Sequence, residues 1–571
     1  MVSRIEISRA DVDVGQSIII RNWQSAKNAA DGMQGAHKAI VARAFLEGMP
    51  PTWSIAASEI PVWLDGTNGL MTALRDAIAR KDRMFLVHGQ SGSGKTTALM
   101  QALLRISKDV EGFVLYELRD DVPSLRAALE LIRRLHSGEH VVVYVGDAFM
   151  YGDALGEDAA RFPAGSLTLV TSARSGEWRD HIQRRVGEFC TSYQYQRFAK
   201  EDFVPLIDRL AKYVPAPRFK KMPQNERIER LRSSRSQLLI ALRETTESAK
   251  FTEVITGEFL DLPDDDCRVL ALIAGIPTIA RTGISKAAAR EAFGRLRKTR
   301  TFDESLRALE GIVSTNSSDR LIARHEAYVR HIVEHVADIE IVLNVMIEIL
   351  RTYTKFAIPI TRTVKRQDSL LFRFLLNHNF VHSLGRGRGG AGPATRLYKE
   401  FEVDFQLDGH YWLQYGQFLV QKDDLEPALD VLNKSIQAYP DNPYALHAYA
   451  DLQLQVAERR AKYDSRTIEL IDEAVGILEA QHLKSIFNSD QYPIVTLCDK
   501  HVGALVKHGQ LAEAREVARK YFRQIDEFSR QNAAESVLRA RERLAVFAST
   551  GEWHFRPPSH DRNGLKRRRR H

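Results

Sequence analysis

An eight-residue glycine-rich turn constrains this chain more than any other feature. Met84, Phe85, Leu86, Val87 and His88 form a short apolar run of the kind that makes a buried strand, and a helical pattern begins at Thr96. Between them lies Gly89-Gln90-Ser91-Gly92-Ser93-Gly94-Lys95-Thr96, which satisfies G-x-x-x-x-G-K-S/T in the strand-to-helix context that the pattern requires. Such a turn aims successive backbone N–H groups into one concavity, and a side chain at Gly92 or Gly94 blocks the approach of a phosphate. The positive end of the following helix adds to the attraction. The sequence therefore predicts a nucleoside triphosphate site in a P-loop. Lys95 is expected to reach the β and γ phosphates and the Thr96 hydroxyl to ligate Mg²⁺, with Thr97 beside them on the first helical turn.

Further β-rich runs at residues 113–116, 141–145 and 167–171 are separated by helical patterns such as 122–135. That alternation implies a parallel sheet with helices on both faces. A phosphate-bound Mg²⁺ needs a carboxylate from a neighbouring strand end, and Asp147, just after the run 141–145, is the candidate. Ala148 follows it, so the acidic neighbour that polarises the attacking water in many fast ATPases is missing, and slow or conditional hydrolysis is expected. Asp153, Glu157 and Asp158 could substitute, with surface acids as the simpler reading. The next run ends in Thr171-Ser172-Ala173-Arg174, at the sheet edge where ligands bind in such folds. Arg174 either senses the γ-phosphate or pairs with a carboxylate as a structural cation. No N-K-x-D element follows the sheet, so guanine lacks its usual reader and ATP/ADP is favoured.

Beyond residue 198 the strand signal fades into helical stretches at 201–213, 228–246, 265–274 and 285–297. Two short apolar runs between residues 312 and 324 flank residues 314–319, which predicts the hairpin of a winged-helix unit. Residues 385–392 are glycine- and arginine-rich and read as a linker, with RNA contact as the alternative. Trp412, Tyr415, Gly416, Leu419, Ala428, Leu432 and Pro440 fall at the large, small and proline positions of a 34-residue helix-turn-helix repeat. A second unit is expected over residues 444–474, with an insertion near 461–466, and a third around 502–521 with Gly509 and Ala514 at its small positions. The alternative is a plain helical bundle.

The composition, 44% hydrophobic and 27% charged over 571 residues, is that of an ordinary multidomain globular protein. The apolar stretch 269–280 is too short to span a bilayer and contains Pro277, so no membrane segment is expected. Arg4, Glu6, Arg9 and Asp11 break any signal-peptide core. Cys190, Cys267 and Cys498 lie far apart, fitting neither a disulfide framework nor a metal knuckle, and a cytoplasmic protein with reduced thiols is expected. Five of the eight net positive charges sit in residues 566–570, so the rest is close to neutral. That tail is a candidate nucleic-acid contact, with a solvated tail as the simpler reading.

The order of these parts resembles the STAND class of signal-transduction ATPases: P-loop, Gly146-Asp147, the Thr171-Ser172-Ala173-Arg174 strand end, helical stretches, a winged-helix-like segment and tetratricopeptide-like repeats. The resemblance implies that the stretch Arg324-His325-Glu326 stands where that class carries M-H-D, whose histidine contacts the β-phosphate of ADP, and His325 would take that role. The sequence is also similar to the NTPase-plus-repeat halves of bacterial phage-defence proteins that carry an N-terminal sirtuin-like or nuclease effector. About 60 residues precede this NTPase, so the resemblance implies a sensor or regulator whose effector is encoded elsewhere, or one whose N-terminal segment is a small adaptor.

The expected fold is an α/β P-loop NTPase followed by a helical lid, a winged-helix-like segment and an α-helical tetratricopeptide-like solenoid. Its expected boundaries are 1–60, a region of unknown role; 61–199, the NTPase; 200–263, the lid; 264–335, the winged-helix-like segment; 336–404, a helical linker; 405–546, the repeats; and 547–571, a basic tail. The expected function is an ATP-dependent switch that forms a nucleotide-dependent homo-oligomer and binds a protein partner through the concave surface of the repeats; Tyr411, Tyr415, Tyr444 and Tyr449 lie on the helices expected to line or flank that surface, with some of them packing between repeats instead. An ATP-regulated transcription factor and a repeat scaffold with a structural ATP site are the alternatives.

Overall fold

The computed structural model describes residues 14–553 except 47, 91, 120–121, 197–198, 214–221, 234–250, 317, 324–325, 386–391, 486–489, 531 and 533. The chain divides into two compact units, Met1–Phe356 with Thr361–Phe372, and Ala357–Ile360 with Arg373–His571. No described helix is long and apolar enough to cross a membrane.

In the first unit, β1 (Ile18–Arg21), β2 (Met84–Gly89), β3 (Leu115–Leu118), β4 (Val141–Asp147), β5 (Leu167–Arg174) and β6 (Cys190–Gln194) form a sheet in the order β1-β3-β4-β5-β2-β6. β1 is antiparallel to β3, and all other neighbours are parallel. The central strands are buried on both faces, which is why they read as unbroken apolar runs. Alternation along β2 sends Met84 and Leu86 into a core with Leu129, Ile132 and Leu155, and Phe85 and Val87 into another with Leu70, Leu74, Leu99 and Leu103. The helices Gly66–Ala79 and Lys95–Asp109 thus cover one face, while Leu125–Leu135 and Asp153–Arg161 cover the other.

Two strands went unseen in the sequence. β6 is built from Cys190-Thr191-Ser192-Tyr193-Gln194, too polar for an apolar-run criterion, and it survives as an edge because its backbone pairs with β2. β1 corrects the expected boundary at residue 60. It extends the sheet, and the helices Trp23–Asp31 and Trp53–Ala57 pack against Lys95–Asp109, so residues 18–57 are part of the NTPase body.

The helix Phe203–Tyr213 buries Phe203, Leu206, Ile207 and Leu210 against Leu46 and Leu64. Of the helix expected at 228–246, Gln224–Ser233 is described and residues 234–246 lie outside the described residues. The winged-helix expectation is met by the helices Asp265–Ile279, Lys286–Leu296 and Phe302–Ala308 with β7 (Ile284–Ser285), β8 (Val313–Thr315) and β9 (Arg320–Ala323). These strands form an antiparallel sheet in the order β7-β9-β8. Asp266, buried at the start of its helix, accepts the backbone N–H groups of Lys298, Thr299 and Arg300 at 2.7, 2.8 and 2.7 Å and so fixes the loop after Lys286–Leu296.

The second unit is helical. Gly409–Gln421 pairs with Leu425–Ala438, Pro443–Arg459 with Ser465–Ser485, and the segment from Tyr492 to Lys507 with Leu511–Ser529, after which Glu535–Thr550 packs on Leu511–Ser529. Gly416 is the close-approach residue of the first pair: a Cβ there would lie 2.6 Å from Leu432 Cγ and Cδ2. One expectation is corrected. Gly509 is a turn residue with φ +75° and open space around it, not an interhelical contact. Tyr411 and Tyr415 are buried inside the first pair, where their rings pack with Tyr398, so neither lines a recognition surface. Tyr444 is exposed and Tyr449 is half-buried. The arginine-glycine stretch 386–391 and the basic run 566–570 lie outside the described residues.

Candidate functional site

The strand order decides what meets at the carboxyl edge of the sheet. β5 lies between β2 and β4, so Arg174 stands opposite Gly89 and Ser172 opposite Asp147. The P-loop leaves β2 at Gly89, where a Cβ would come within 3.1 Å of the Tyr195 carbonyl oxygen. Gly92 (φ +72°) and Gly94 (φ +84°) adopt the left-handed conformation that glycine takes at least cost, and the helix Lys95–Asp109 starts directly from Gly94. Gln90 carries the carbonyl that accepts Lys95 Nζ at 3.3 Å, and it also accepts the Ser93 amide. The Ser93 Oγ is buried with no hydrogen-bond partner among the described residues, an orphan that a phosphate oxygen would satisfy. Ser91 and His325 lie outside the described residues.

Gly92, Ser93, Gly94, Lys95, Thr96 and Thr97 line a cavity of about 860 Å³ whose wall also holds Asp147, Ser172 and Arg174. The size suits a small organic ligand. Its lining also includes the apolar side chains of Met49, Pro51, Trp53, Val62 and Leu206, and the indole Nε1 of Trp53 is buried without a hydrogen-bond partner among the described residues. Burial pushes the Lys95 ammonium down to about 8, with Asp147 opposing the shift and Arg174 and Arg281 adding to it. A polyphosphate placed against Lys95 would relieve that stress. The donor set, inward-facing glycine backbone, Lys95, the Thr96 hydroxyl and the Asp147 carboxylate, fits a Mg²⁺-nucleotide.

Two residues that the sequence did not single out, Arg281 and Glu177, complete the edge. Arg281, from the turn after Asp265–Ile279, donates Nη1 to Asp147 Oδ2 at 2.8 Å and to Glu177 Oε2 at 3.1 Å, and its Nη2 pairs with Glu177 Oε1. Glu177 also accepts the backbone N–H of Arg174 at 3.0 Å. Arg174 in turn pairs with Glu326, its Nη1 lying 3.4 Å from Oε1. Of the two roles expected for Arg174, the pairing with a carboxylate is the one observed. No motif marked Arg281 or Glu177, because they reach the site only through tertiary packing. Among the expected water-activating alternates, Glu157 and Asp158 lie on the helix Asp153–Arg161 and neither lines the cavity; Asp153 starts the same helix.

Residues 43–185 match the family model described as Novel STAND NTPase 5, and residues 410–452 match the model described as Tetratricopeptide repeat. Among solved structures, a Signal Transduction ATPase with Numerous Domains protein with a tetratricopeptide repeat sensor from Pyrococcus horikoshii is 13% identical, with 88% of this chain and 75% of that chain covered and a TM-score of 0.35. The S. cerevisiae Hsp104:casein complex in its extended conformation is 11% identical, with 79% and 87% covered and a TM-score of 0.28. The S. cerevisiae Hsp104-ADP complex is also 11% identical, with 83% and 62% covered and a TM-score of 0.28. No curated protein sequence matches the chain significantly. By its two family matches, the chain joins a STAND-type NTPase domain to tetratricopeptide repeat helices.

Proposed function

We propose that the first unit binds ATP with Mg²⁺ and acts as a nucleotide-controlled switch whose input is a protein bound by the repeats. The observation that carries this reading is the cavity in which a left-handed glycine cradle, Lys95, Thr96 and Asp147 face one another. Lys95 holds the phosphate charge, Thr96 and Asp147 hold the metal, and the apolar side chains of Trp53 and Val62 take the base. The sheet supplies the loop and Asp147, while the winged-helix segment supplies Arg281 and Glu326, so a ligand in the cavity touches both parts of the chain. That is the arrangement a population shift requires. His325 remains a proposal of the family resemblance, as a contact to ADP in the resting state.

Hydrolysis is slow in this reading, since Ala148 occupies the position after Asp147 and the carboxylate of Glu177 is engaged by Arg281. A bacterial defence role with a separately encoded effector follows from the family resemblance alone and belongs to the proposal. The transcription-factor alternative is weakened by the helix Phe302–Ala308, which takes the place of a recognition helix. Its first turn carries Asp303 and Glu304, placing negative charge where base and phosphate contacts form.

The test is titration of the purified chain with a fluorescent ATP analogue, with magnesium and with EDTA. It is followed by turnover and light scattering before and after adding proteins that co-purify through the repeats. Absence of saturable nucleotide binding sinks the switch. Binding that is indifferent to any repeat-bound protein leaves a scaffold with a structural nucleotide.

A further inference from the structure

Arg281 follows the helix Asp265–Ile279 in the left-handed conformation, φ +62°. Its amide donates to the Thr278 carbonyl at 3.0 Å, and the Thr282 amide to the Pro277 carbonyl at 3.1 Å, which closes the helix end. Glycine meets that backbone demand at far lower cost than any residue with a Cβ. This chain instead holds its longest cationic side chain there, and a non-glycine residue kept in such a conformation points to something the side chain does.

What it does is visible at the sheet edge. The guanidinium spans Asp147 and Glu177, and its central carbon stands 5.4 Å from the Phe149 ring centre. Asp147 Oδ1 accepts the Phe149 amide at 3.1 Å, so both carboxylate oxygens are engaged, one by the start of the helix Ala148–Tyr151 and one by Arg281. Asp147 is also the carboxylate that would meet Mg²⁺. A divalent ion takes an oxygen lone pair at about 2.1 Å, and at Oδ2 it would stand against the positive guanidinium already hydrogen-bonded there, so the two cations compete for one carboxylate.

We propose that Arg281 discriminates between nucleotide states by taking the place of the metal at Asp147. Metal-bound triphosphate expels the guanidinium, whereas metal-free diphosphate leaves it seated. The inference rests on the nucleotide reading of the cavity. Because Asp147 belongs to the sheet and Arg281 to the winged-helix segment, entry of the metal breaks one of the ties between them. Glu177 keeps its own hold on the guanidinium, so the released arginine stays near the cavity wall and is available to a terminal phosphate.

Arg281→Gly removes the guanidinium while suiting the left-handed backbone, so loss of folding is not the expected result; a thermal melt checks this. Affinities for fluorescent ATP and ADP analogues are measured with magnesium and with EDTA in parent and variant. The gain in ATP-analogue affinity on adding magnesium is expected to be roughly tenfold larger in Arg281→Gly, because the metal no longer displaces a cation. Hydrogen exchange gives a second readout. Amides of residues 278–285 should exchange faster in the parent on adding magnesium and ATP, and already exchange fast in the variant without nucleotide. An equal magnesium gain in both proteins, or unchanged exchange at those amides, overturns the inference while leaving the nucleotide site standing. If Lys95→Ala binds as tightly as the parent, the cavity reading itself fails, and the role of Arg281 falls with it.

Discussion

The Arg174 guanidinium lies against the Glu326 carboxylate, tying the last residue of β5 to the first turn of the helix Glu326–His331. Burial acts to raise the Glu326 carboxyl, yet Arg174 and Arg330 together hold it below the usual carboxylate range. Removing the charge with Glu326→Gln is expected to cost about 1–3 kcal/mol of stability, because Arg174 loses the closer of its two carboxylate partners, Glu326 and Glu177, at a half-buried position. The same change frees Arg174 to meet phosphate, so triphosphate affinity should rise several-fold. Urea unfolding and a fluorescent-ATP titration check the two halves. A fall in affinity would mean that Glu326 serves the ligand directly.

Lys95→Ala is expected to reduce triphosphate affinity by at least about 100-fold, since it leaves the phosphate charge without its closest cation in a partly buried cavity. The folded state should change little, by less than about 1 kcal/mol, because the ammonium makes a 3.3 Å bond to the Gln90 carbonyl and packs no core. Retained affinity with an unchanged melting curve would remove the P-loop from the ligand site.

Asp266→Asn tests the winged-helix segment apart from any ligand. Burial opposes ionisation of Asp266, but three backbone N–H donors hold its carboxyl down to about 2, against an ordinary 3.8. A depressed carboxylate contributes stability above its unfolded value and loses it as the pH falls through the folded one. Asparagine can accept only part of that donor set, so a loss of about 1–3 kcal/mol is expected at neutral pH. The gap between parent and variant in urea unfolding should narrow as the pH falls from about 4 toward 2. A gap that stays constant over that range would show that the Asp266 charge contributes nothing.

Gly416→Ala and Gly476→Ala form a matched pair in the repeats. A Cβ at Gly416 would sit 2.6 Å from Leu432 Cγ, whereas nothing lies within 4 Å of one at Gly476. The first substitution should destabilise by about 1–3 kcal/mol through overpacking. The second should gain up to about 1 kcal/mol from helix propensity. Thermal denaturation reads both, and equal shifts would mean that the first helix pair is looser than its geometry indicates.

The sequence alone determined the elements whose physics is local. The P-loop was legible because its glycines, Lys95 and Thr96 are contiguous and answer to one backbone geometry. β2, β4 and β5 were legible because strands buried on both faces must be apolar throughout, and the first repeat pair because Gly416, Ala428 and Leu432 recur at helical spacing. Tertiary structure decided everything set by pairing across the chain. β6 is polar and exists because β2 offers it hydrogen bonds; β1 belongs to the sheet because β3 does. Of the four tyrosines expected either on the recognition surface or between repeats, Tyr411 and Tyr415 went inside, since periodicity fixes which residues share a helix face but not which face its neighbours cover. The contact of Arg281 with Asp147 spans 134 residues, and no local pattern encodes it. It arises only when the turn after Asp265–Ile279 is laid against the carboxyl edge of the sheet, where desolvation makes each charge seek an opposite one.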